Sequence, residues 1–513
     1  MAVRPLGRAR PALAALVLLG LGLGAPQAST DDTAARAATT DVGRAAAMPL
    51  AHGSQPNIVL VMTDDMTVSD LRWMPQTRRL LGRHGTTFTD AIAPNPLCCP
   101  ARAALITGLE SHNSGVWSNS GRYGGYQALH RSSRLQHWLR GAGYRTAFLG
   151  KHLNGYTPRR TGPEGGWTVH DPLVRGIYSY RRFASWNDGD IRWVRRGYVT
   201  QYLTQATKGV LRRFEHRDAA PFFVWVSHVA PHNSLRPGCT GVGCWAPPRP
   251  ALRDWGDLRG VRAPDLASAS FNQDGGADKP YFLRGLDAWG EADIQRLFQR
   301  RIESLQAVDR SVAATVAQLR RLGELRSTLF VFTSDNGYLL GEHRYVGKRL
   351  PYEGSVRVPL LVRGPGVLQD ATVGDLVTTP DLTRTFVHVA GADPAYPLDG
   401  VLLRGLLTDR RAAPPRAATI LQTGGPAPYA PHWAYRGYRD ARYTYARYPD
   451  DGSGSVYEEL YDRRLDPSEV DNVAGSPAYA EVLRLVQERA RSLLTCTGAT
   501  CHPDWPALPG PDV

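Results

Sequence analysis

The chain has 513 residues, 61 basic against 47 acidic, with 42% hydrophobic and 21% charged residues. That length exceeds one small core, and ordinary apolar and charged fractions exclude a globally disordered or fibrous chain. Only four basic residues are lysines, Lys151, Lys208, Lys279 and Lys348; the arginine skew reads as compositional bias, with attraction to a polyanion such as a sulfated glycan as the functional alternative, and no basic helix or zinc-finger spacing points to nucleic acid.

In chain order, Arg4, Arg8 and Arg10 precede an apolar run from Ala12 to Leu23 and then small residues near Ala28. This describes an export signal over residues 1–28, followed by a flexible linker at 29–55. The run is shorter than the ~20 residues of a membrane span, and no later stretch is long and apolar enough to be one. Asn57–Thr63 is a continuous apolar run rich in β-branched residues, which suits a buried parallel strand. Arg145–Leu149, Phe222–Val226, Thr328–Thr333 and Val358–Val362 read as further buried strands. Helical patterns lie around Pro75–His84, Ser133–Arg140, Val199–Phe214, Glu291–Leu322 and Pro380–Val389. This alternation predicts an α/β fold, a large mixed, mostly parallel sheet sandwiched by helices, over residues 56–414. From 415 to 513 the texture changes. Tyrosine and arginine alternate through Trp433–Tyr448 as in an exposed antiparallel sheet, and a last helix fits Pro477–Leu494, predicting a smaller α+β domain.

The six cysteines include two pairs with a spacing of five, Cys239/Cys244 and Cys496/Cys501, each in a Gly/Pro/Thr-rich stretch. Small-loop disulfides in an oxidising compartment explain them, and a four-cysteine zinc site is the alternative. Cys98 and Cys99 remain over.

Three segments carry chemistry. Asp64–Asp65 follows the first strand, where ligands of open α/β sheets collect; adjacent carboxylates repel unless a cation lies between them, a helix N-cap being the plain alternative. Ser334–Asp335–Asn336–Gly337 follows the Thr328–Thr333 strand, and its plain reading is an Asn-Gly turn. Together Asp64, Asp65, Asp335 and Asn336 offer hard oxygen ligands that favour calcium or magnesium over zinc. The third segment, Pro96–Leu97–Cys98–Cys99–Pro100–Ala101–Arg102, leads into a short apolar helix at Ala103–Thr107. Pro100 suits a first helical turn and places Cys98 just before a helix N-terminus, where N–H groups favour an anion.

Cys98-x-Pro100-Ala101-Arg102 resembles the signature of the sulfatase family, in the alkaline phosphatase superfamily. With Asp64–Asp65 after the first strand, Ser334–Gly337 after a late one and a C-terminal motif at Leu460–Asn472, the likeness spans most of the chain. Gly150–Lys151–His152–Leu153–Asn154 and Ser334–Arg344 are most similar to the N-acetylglucosamine-6-sulfatase branch. The resemblance implies that Cys98 is oxidised to formylglycine by a separate formylglycine-generating enzyme. It also implies one divalent ion, calcium, held by Asp64, Asp65, Asp335 and Asn336 with residue 98 as a further ligand. Lys151 and Lys348 would hold sulfate oxygens, Arg102 would fix position 98, His232 would protonate the leaving alcohol and His152 would act as base. His228 and His343 are supporting candidates. The implied substrate is a sulfated sugar, glycosaminoglycan or aryl sulfate, met by a secreted enzyme. Hydrolysis of phosphate or phosphonate esters on the same scaffold, and glycan binding without catalysis, are the alternatives.

Overall fold

In the computed structural model the Asn57–Asp64 run forms β1, with every residue buried. The structure describes residues 55–511 apart from 188, 217–219, 237–238, 240–243, 427–430, 432 and 451–453; the expected export signal, and the linker up to residue 54, lie outside the described residues. The other strands of the main sheet are β2 (Thr86–Phe88), β3 (Arg145–Lys151), β4 (Val169–Arg175), β5 (Phe183–Asn187), β6 (Asp190–Val194), β7 (Phe222–Pro231), β8 (Thr328–Ser334), β9 (Leu360–Arg363) and β10 (Ala371–Val373). They lie in the order β10-β2-β9-β8-β1-β7-β3-β4-β5-β6. The five central strands from β8 to β4 run parallel, whereas β9 joins β8 antiparallel and β5 joins β4 antiparallel. The sheet is therefore mixed with a parallel centre.

Side chains of β1 alternate between two apolar layers, as a strand with both faces covered requires. Ile58, Leu60 and Met62 pack with α1 (Cys98–Thr107), α2 (Leu135–Gly141) and α5 (Thr379–Val389). Val59 and Val61 pack with α3 (Val199–Glu215) and the 32-residue α4 (Glu291–Leu322).

The C-terminal strands β11 (Ala418–Gln422), β12 (Arg436–Asp440), β13 (Tyr443–Tyr448) and β14 (Tyr457–Asp462) form an antiparallel sheet. Its tyrosines are not exposed, contrary to the sequence reading: Tyr435, Tyr438, Tyr443, Tyr445 and Tyr448 are fully buried. Both faces are covered. Tyr438, Tyr443 and Tyr445 pack under the final helix, α6 (Ala480–Leu493), while Tyr435 and Tyr448 meet Ile92, Val356 and Leu376 of the main body. The hydroxyls of Tyr438, Tyr443, Tyr445 and Tyr448 find partners, whereas that of Tyr435 has none among the described residues. Glu459 accepts from Tyr352 and Tyr461 at 2.7 Å each and from Tyr448 at 3.0 Å. The Leu460–Asn472 motif thereby docks on Tyr352–Glu353, just downstream of Lys348, with Glu469 accepting from the Glu353 N–H at 2.7 Å. Disulfides join Cys239 to Cys244 and Cys496 to Cys501, and Cys98 and Cys99 are free and buried.

Candidate active site

The parallel pairing of β1 with β8 sets Thr63 against Ser334, so the Asp64–Asp65 and Asp335–Asn336 pairs leave the sheet side by side. Asp65 adopts φ 68°, a left-handed conformation that aspartate tolerates better than most residues. It is pinned on both sides of its Cα: its N–H donates to Asp335 Oδ1 at 3.1 Å, and its carbonyl accepts from Arg301 at 2.5 Å. Gly337 is required for close approach, since a Cβ there would lie 2.3 Å from the Gly354 carbonyl oxygen. That contact brings the segment after Lys348 onto the β8 terminus. Gly150 plays the same part beside Lys151: at φ 111°, its Cβ would lie 2.0 Å from Ser227 O.

Helix α1 starts at Cys98 itself, with Leu97 extended as its N-cap. The sequence reading placed Cys98 just outside the helix; Pro100 instead occupies the third helical position, where its missing N–H still costs no helical hydrogen bond. Cys98 Sγ accepts from Lys348 Nζ at 2.8 Å and lies 3.5 Å from Asp64 Oδ1 and 4.0 Å from Asp65 Oδ1. Cys99 faces the other way, into the apolar layer around α1, where its sulfur accepts from the Asn154 N–H at 3.1 Å.

Three carboxylates meet three permanent cations here. Lys151 pairs with Asp64, and Lys348 with Asp65. Arg102 donates through Nε to Asp335 Oδ2 at 2.9 Å and through Nη1 to the Lys151 carbonyl at 2.7 Å and Ser227 Oγ at 2.5 Å. Arg102 thus ties α1 to β3, β7 and β8 together. Burial pushes the Asp64 carboxyl up to about 7, with Asp335 and Asp65 adding to the rise and Lys151 opposing it. Burial acts against the Asp65 anion too, yet the Lys348 and Lys151 ammonium groups hold its carboxyl well below the usual range. Burial pushes the Cys98 thiol up to about 12 although both lysines oppose it, so an unmodified Cys98 is a neutral thiol and a poor nucleophile. His232 is brought down to about 3 by burial, with Asp65 opposing and the two lysines reinforcing. Its Nδ1 is 2.7 Å from the Asn233 carbonyl, which can only accept. The proton of the neutral ring therefore sits on Nδ1, and Nε2 turns its lone pair toward the site, 3.7 Å from Asp65 Oδ2.

The donor set fits a divalent cation. One ligand atom each from Asp64, Asp65, Cys98 and His232 lie within 4.8 Å of one another. Asn336 directs its Nδ2 to Asp65 Oδ1 at 2.9 Å and to Gly337 O at 2.8 Å, while its Oδ1 is buried without a hydrogen-bond partner. A buried amide oxygen left unpaired is costly unless something supplies positive charge.

His152 is not part of this cluster. Its Nε2 pairs with Glu164 Oε2 at 2.9 Å, and its ring packs among Phe148, Tyr126, Tyr156 and His170. In Lys151–His152–Leu153 the histidine directly follows the lysine, so as the chain leaves β3 the two side chains diverge. The structure places His152, the expected base, as a buried partner of Glu164. His152→Phe is expected to cost about 1–3 kcal/mol of stability while leaving kcat nearly unchanged, read as a lower Tm beside an intact turnover assay; a thousandfold loss of kcat in a folded variant would restore the base. His228 is buried on β7, with neither ring nitrogen hydrogen-bonded. His343 is taken up by Gln273 at 2.6 Å and by the Tyr352 ring. Sequence reasoning missed Tyr178, whose ring stacks on His232 at 4.2 Å and lies 5.2 Å from Lys151 Nζ; a single tyrosine in a turn carries no periodic signal.

A sequence model of the sulfatase family matches residues 56–392. The chain belongs to the sulfatase family. A second model, for the C-terminal part of N-sulphoglucosamine sulphohydrolase, matches residues 341–495 of the chain. Human N-acetylglucosamine-6-sulfatase is 30% identical over 492 residues, covering 87% of this chain and 86% of the human one. An extracellular sulfatase of Drosophila melanogaster is 31% identical over 375 residues, covering 71% of this chain and 32% of the fly protein. The chain spans 48% and 32% of the lengths of the worm and fly extracellular proteins it matches. Among solved structures, a protein in complex with its substrate D-glucosamine-2-N,6-O-disulfate superposes with a TM-score of 0.69 at 22% identity, covering 85% of this chain and 97% of the other. The phosphonate monoester hydrolase of Silicibacter pomeroyi superposes with a TM-score of 0.63 at 21% identity, covering 86% and 95%. Family membership implies a formylglycine and a divalent metal ion. Among the described residues no helix is long and apolar enough to cross a membrane.

Proposed function

We propose that this sulfatase-family protein hydrolyses sulfate esters of sugars of the N-acetylglucosamine 6-sulfate class, using a formylglycine made from Cys98 and one calcium ion. The observation that carries the reading is the surroundings of Cys98. Its sulfur opens a helix 2.8 Å from a lysine ammonium and 3.5 Å from a carboxylate, with a second lysine on that carboxylate. A site with that many cations around a buried nucleophile position suits a reacting anion. The sugar class is supported by the human relative and by the neighbour whose substrate is a disulfated glucosamine. Calcium is supported by the oxygen donors of Asp64, Asp65, Asp335 and Asn336.

When present, the ion and the hydrated aldehyde supply charge neutralisation at a sulfate oxygen and a pair of geminal hydroxyls. The chain's own residues do the rest. Lys151 and Lys348 neutralise carboxylates at rest and are placed to turn toward the oxygens of an incoming sulfate. Lys348 keeps its proton at rest, because the Asp65 carboxylate outweighs the effect of burial on its ammonium. His232, neutral at rest, accepts at Nε2, so it can protonate a leaving oxygen only after taking up a proton there from water, and the group that already carries a proton beside the site is Lys348. Arg102 holds Asp335 in place and does not touch Cys98 directly. Export is supported by the basic and apolar N-terminus and the two disulfides, and maturation would then involve a formylglycine-generating enzyme. The division into a catalytic domain at 56–414 and a smaller domain at 415–513 is supported by the separate apolar cluster under α6.

The peptide containing Cys98 is expected to be ~18 Da lighter than the thiol form by mass spectrometry, and the protein to turn over p-nitrophenyl sulfate well ahead of p-nitrophenyl phosphate. The second reading, a phosphate or phosphonate ester hydrolase, is favoured by the likeness to the phosphonate monoester hydrolase fold; a preference for the phosphate ester would select it.

A further inference from the structure

Beyond His232 the chain doubles back. Ser234–Leu235 pairs antiparallel with Trp245–Ala246, setting Trp245 opposite Leu235. The Arg236 N–H donates to Cys244 O at 2.9 Å, and the Cys239–Cys244 disulfide closes the hairpin. The effect is to return Trp245 to the histidine from which the hairpin started. Its ring lies edge-on, 5.1 Å from His232 and 5.3 Å from Tyr178. Tyr178, in the turn after β4, in turn stacks on His232 at 4.2 Å. Both aromatics are half-buried, and Trp245 is part of neither apolar layer of the main sheet.

A half-buried tryptophan outside the core, clamped by a disulfide at the neighbouring residue, calls for a role at the surface it borders. The geometry points to Tyr178 and Trp245 as the aromatic wall of a subsite that takes the pyranose ring of the sulfated sugar, with the paired Ser234–Leu235 and Trp245–Ala246 and the Cys239–Cys244 disulfide setting its position. This rests on the sugar sulfatase reading above. The sulfate is drawn between Lys151 and Lys348. The ester oxygen faces His232, so the ring attached to that oxygen lies on the His232 side, where it meets Tyr178 and Trp245. A pyranose presents a face of C–H groups that an indole covers well, and the sugar's hydroxyls stay at the wet edge. The disulfide holds the wall in its bound position before substrate arrives, which lowers the ordering cost of binding.

The test uses the full chain with Trp245→Ala, Trp245→Phe and the Cys239→Ser/Cys244→Ser pair. In a Cys98→Ala background, binding of N-acetylglucosamine 6-sulfate is read by calorimetry. In the active background, kcat and KM are read for that sugar and for p-nitrophenyl sulfate, whose leaving group needs no proton. Trp245→Ala is expected to weaken sugar binding and raise its KM by about tenfold, with kcat for both substrates changed by less than about threefold and Trp245→Phe recovering most of the loss. The double serine variant should weaken binding in the same direction by a smaller factor. Unchanged sugar binding in Trp245→Ala overturns the proposal. So does a loss confined to kcat on the sugar with KM unmoved, since Trp245 would then act only by orienting His232. A parent protein that binds the sugar sulfate but hydrolyses neither substrate would instead sink the sulfatase reading while leaving the subsite standing.

Discussion

Cys98→Ala is expected to abolish sulfate-ester turnover, by about four orders of magnitude or more, in a protein that still folds and still holds its ion. The fold should survive because the side chain is small and its contacts are few: one ammonium at 2.8 Å and two carboxylate oxygens at 3.5 and 4.0 Å. Activity should not survive, because no other nucleophile among the described residues sits between the two lysines. Cys99 is the internal control. Its sulfur lies in the apolar layer against the Asn154 N–H, so Cys99→Ser should keep most of the activity and lose about 1 kcal/mol of stability through burial of a hydroxyl. Cys98→Ser separates attack from release. An unoxidised serine has a single hydroxyl, so it can accept sulfate once but has no second one with which to expel it. A burst of one turnover followed by arrest, with an added sulfate mass on the serine peptide, is the expected result. Sustained turnover by an unoxidised serine would show that the second hydroxyl is dispensable.

The central strands and the polar pairs Asp64–Asp65 and Asp335–Asn336 at their ends were legible in the sequence because burial on both faces leaves an uninterrupted apolar run. Asn57–Thr63 and Thr328–Thr333 have such runs, and the polar residues that end them mark where the sheet opens. Other features depend on what covers what, which a single strand does not record. The alternating tyrosines of β13 read as one exposed face, but Tyr443 and Tyr445 meet α6 while Tyr448 meets the main body. The role of His152 rests on the family resemblance of Lys151–His152; adjacent residues at a strand end point in different directions, and Glu164 pairs with the histidine. Trp245 could not be tied to His232 without the hairpin that folds it back.

Stripping the ion with a chelator is expected to abolish activity and lower Tm by a few degrees, both reversed by calcium, and Asp335→Asn is expected to remove that response altogether. The stripped protein should stay folded because Lys151 and Lys348 already neutralise Asp64 and Asp65. What it loses is the binding free energy of the ion, about 2.7 kcal/mol at a hundredfold excess over Kd. Asp335 is the better residue to change because it joins the donor set to the rest of the site. Its Oδ1 accepts from the Asp65 and Asn336 N–H groups at 3.1 and 2.9 Å, and its Oδ2 binds Arg102 at 2.9 Å. An amide keeps the shape but must aim an NH2 either at the guanidinium or at the two N–H groups. Arg102, 1% exposed, then keeps an uncompensated charge, and breaking a buried pair in this way costs about 3–5 kcal/mol. Asp335→Asn should therefore start at a lower Tm than the stripped parent, hold no stoichiometric ion by elemental analysis, and show the same Tm with and without calcium. Full activity in a parent stripped to substoichiometric metal would overturn the metal assignment. A calcium-dependent Tm that survives in Asp335→Asn would place the ion elsewhere.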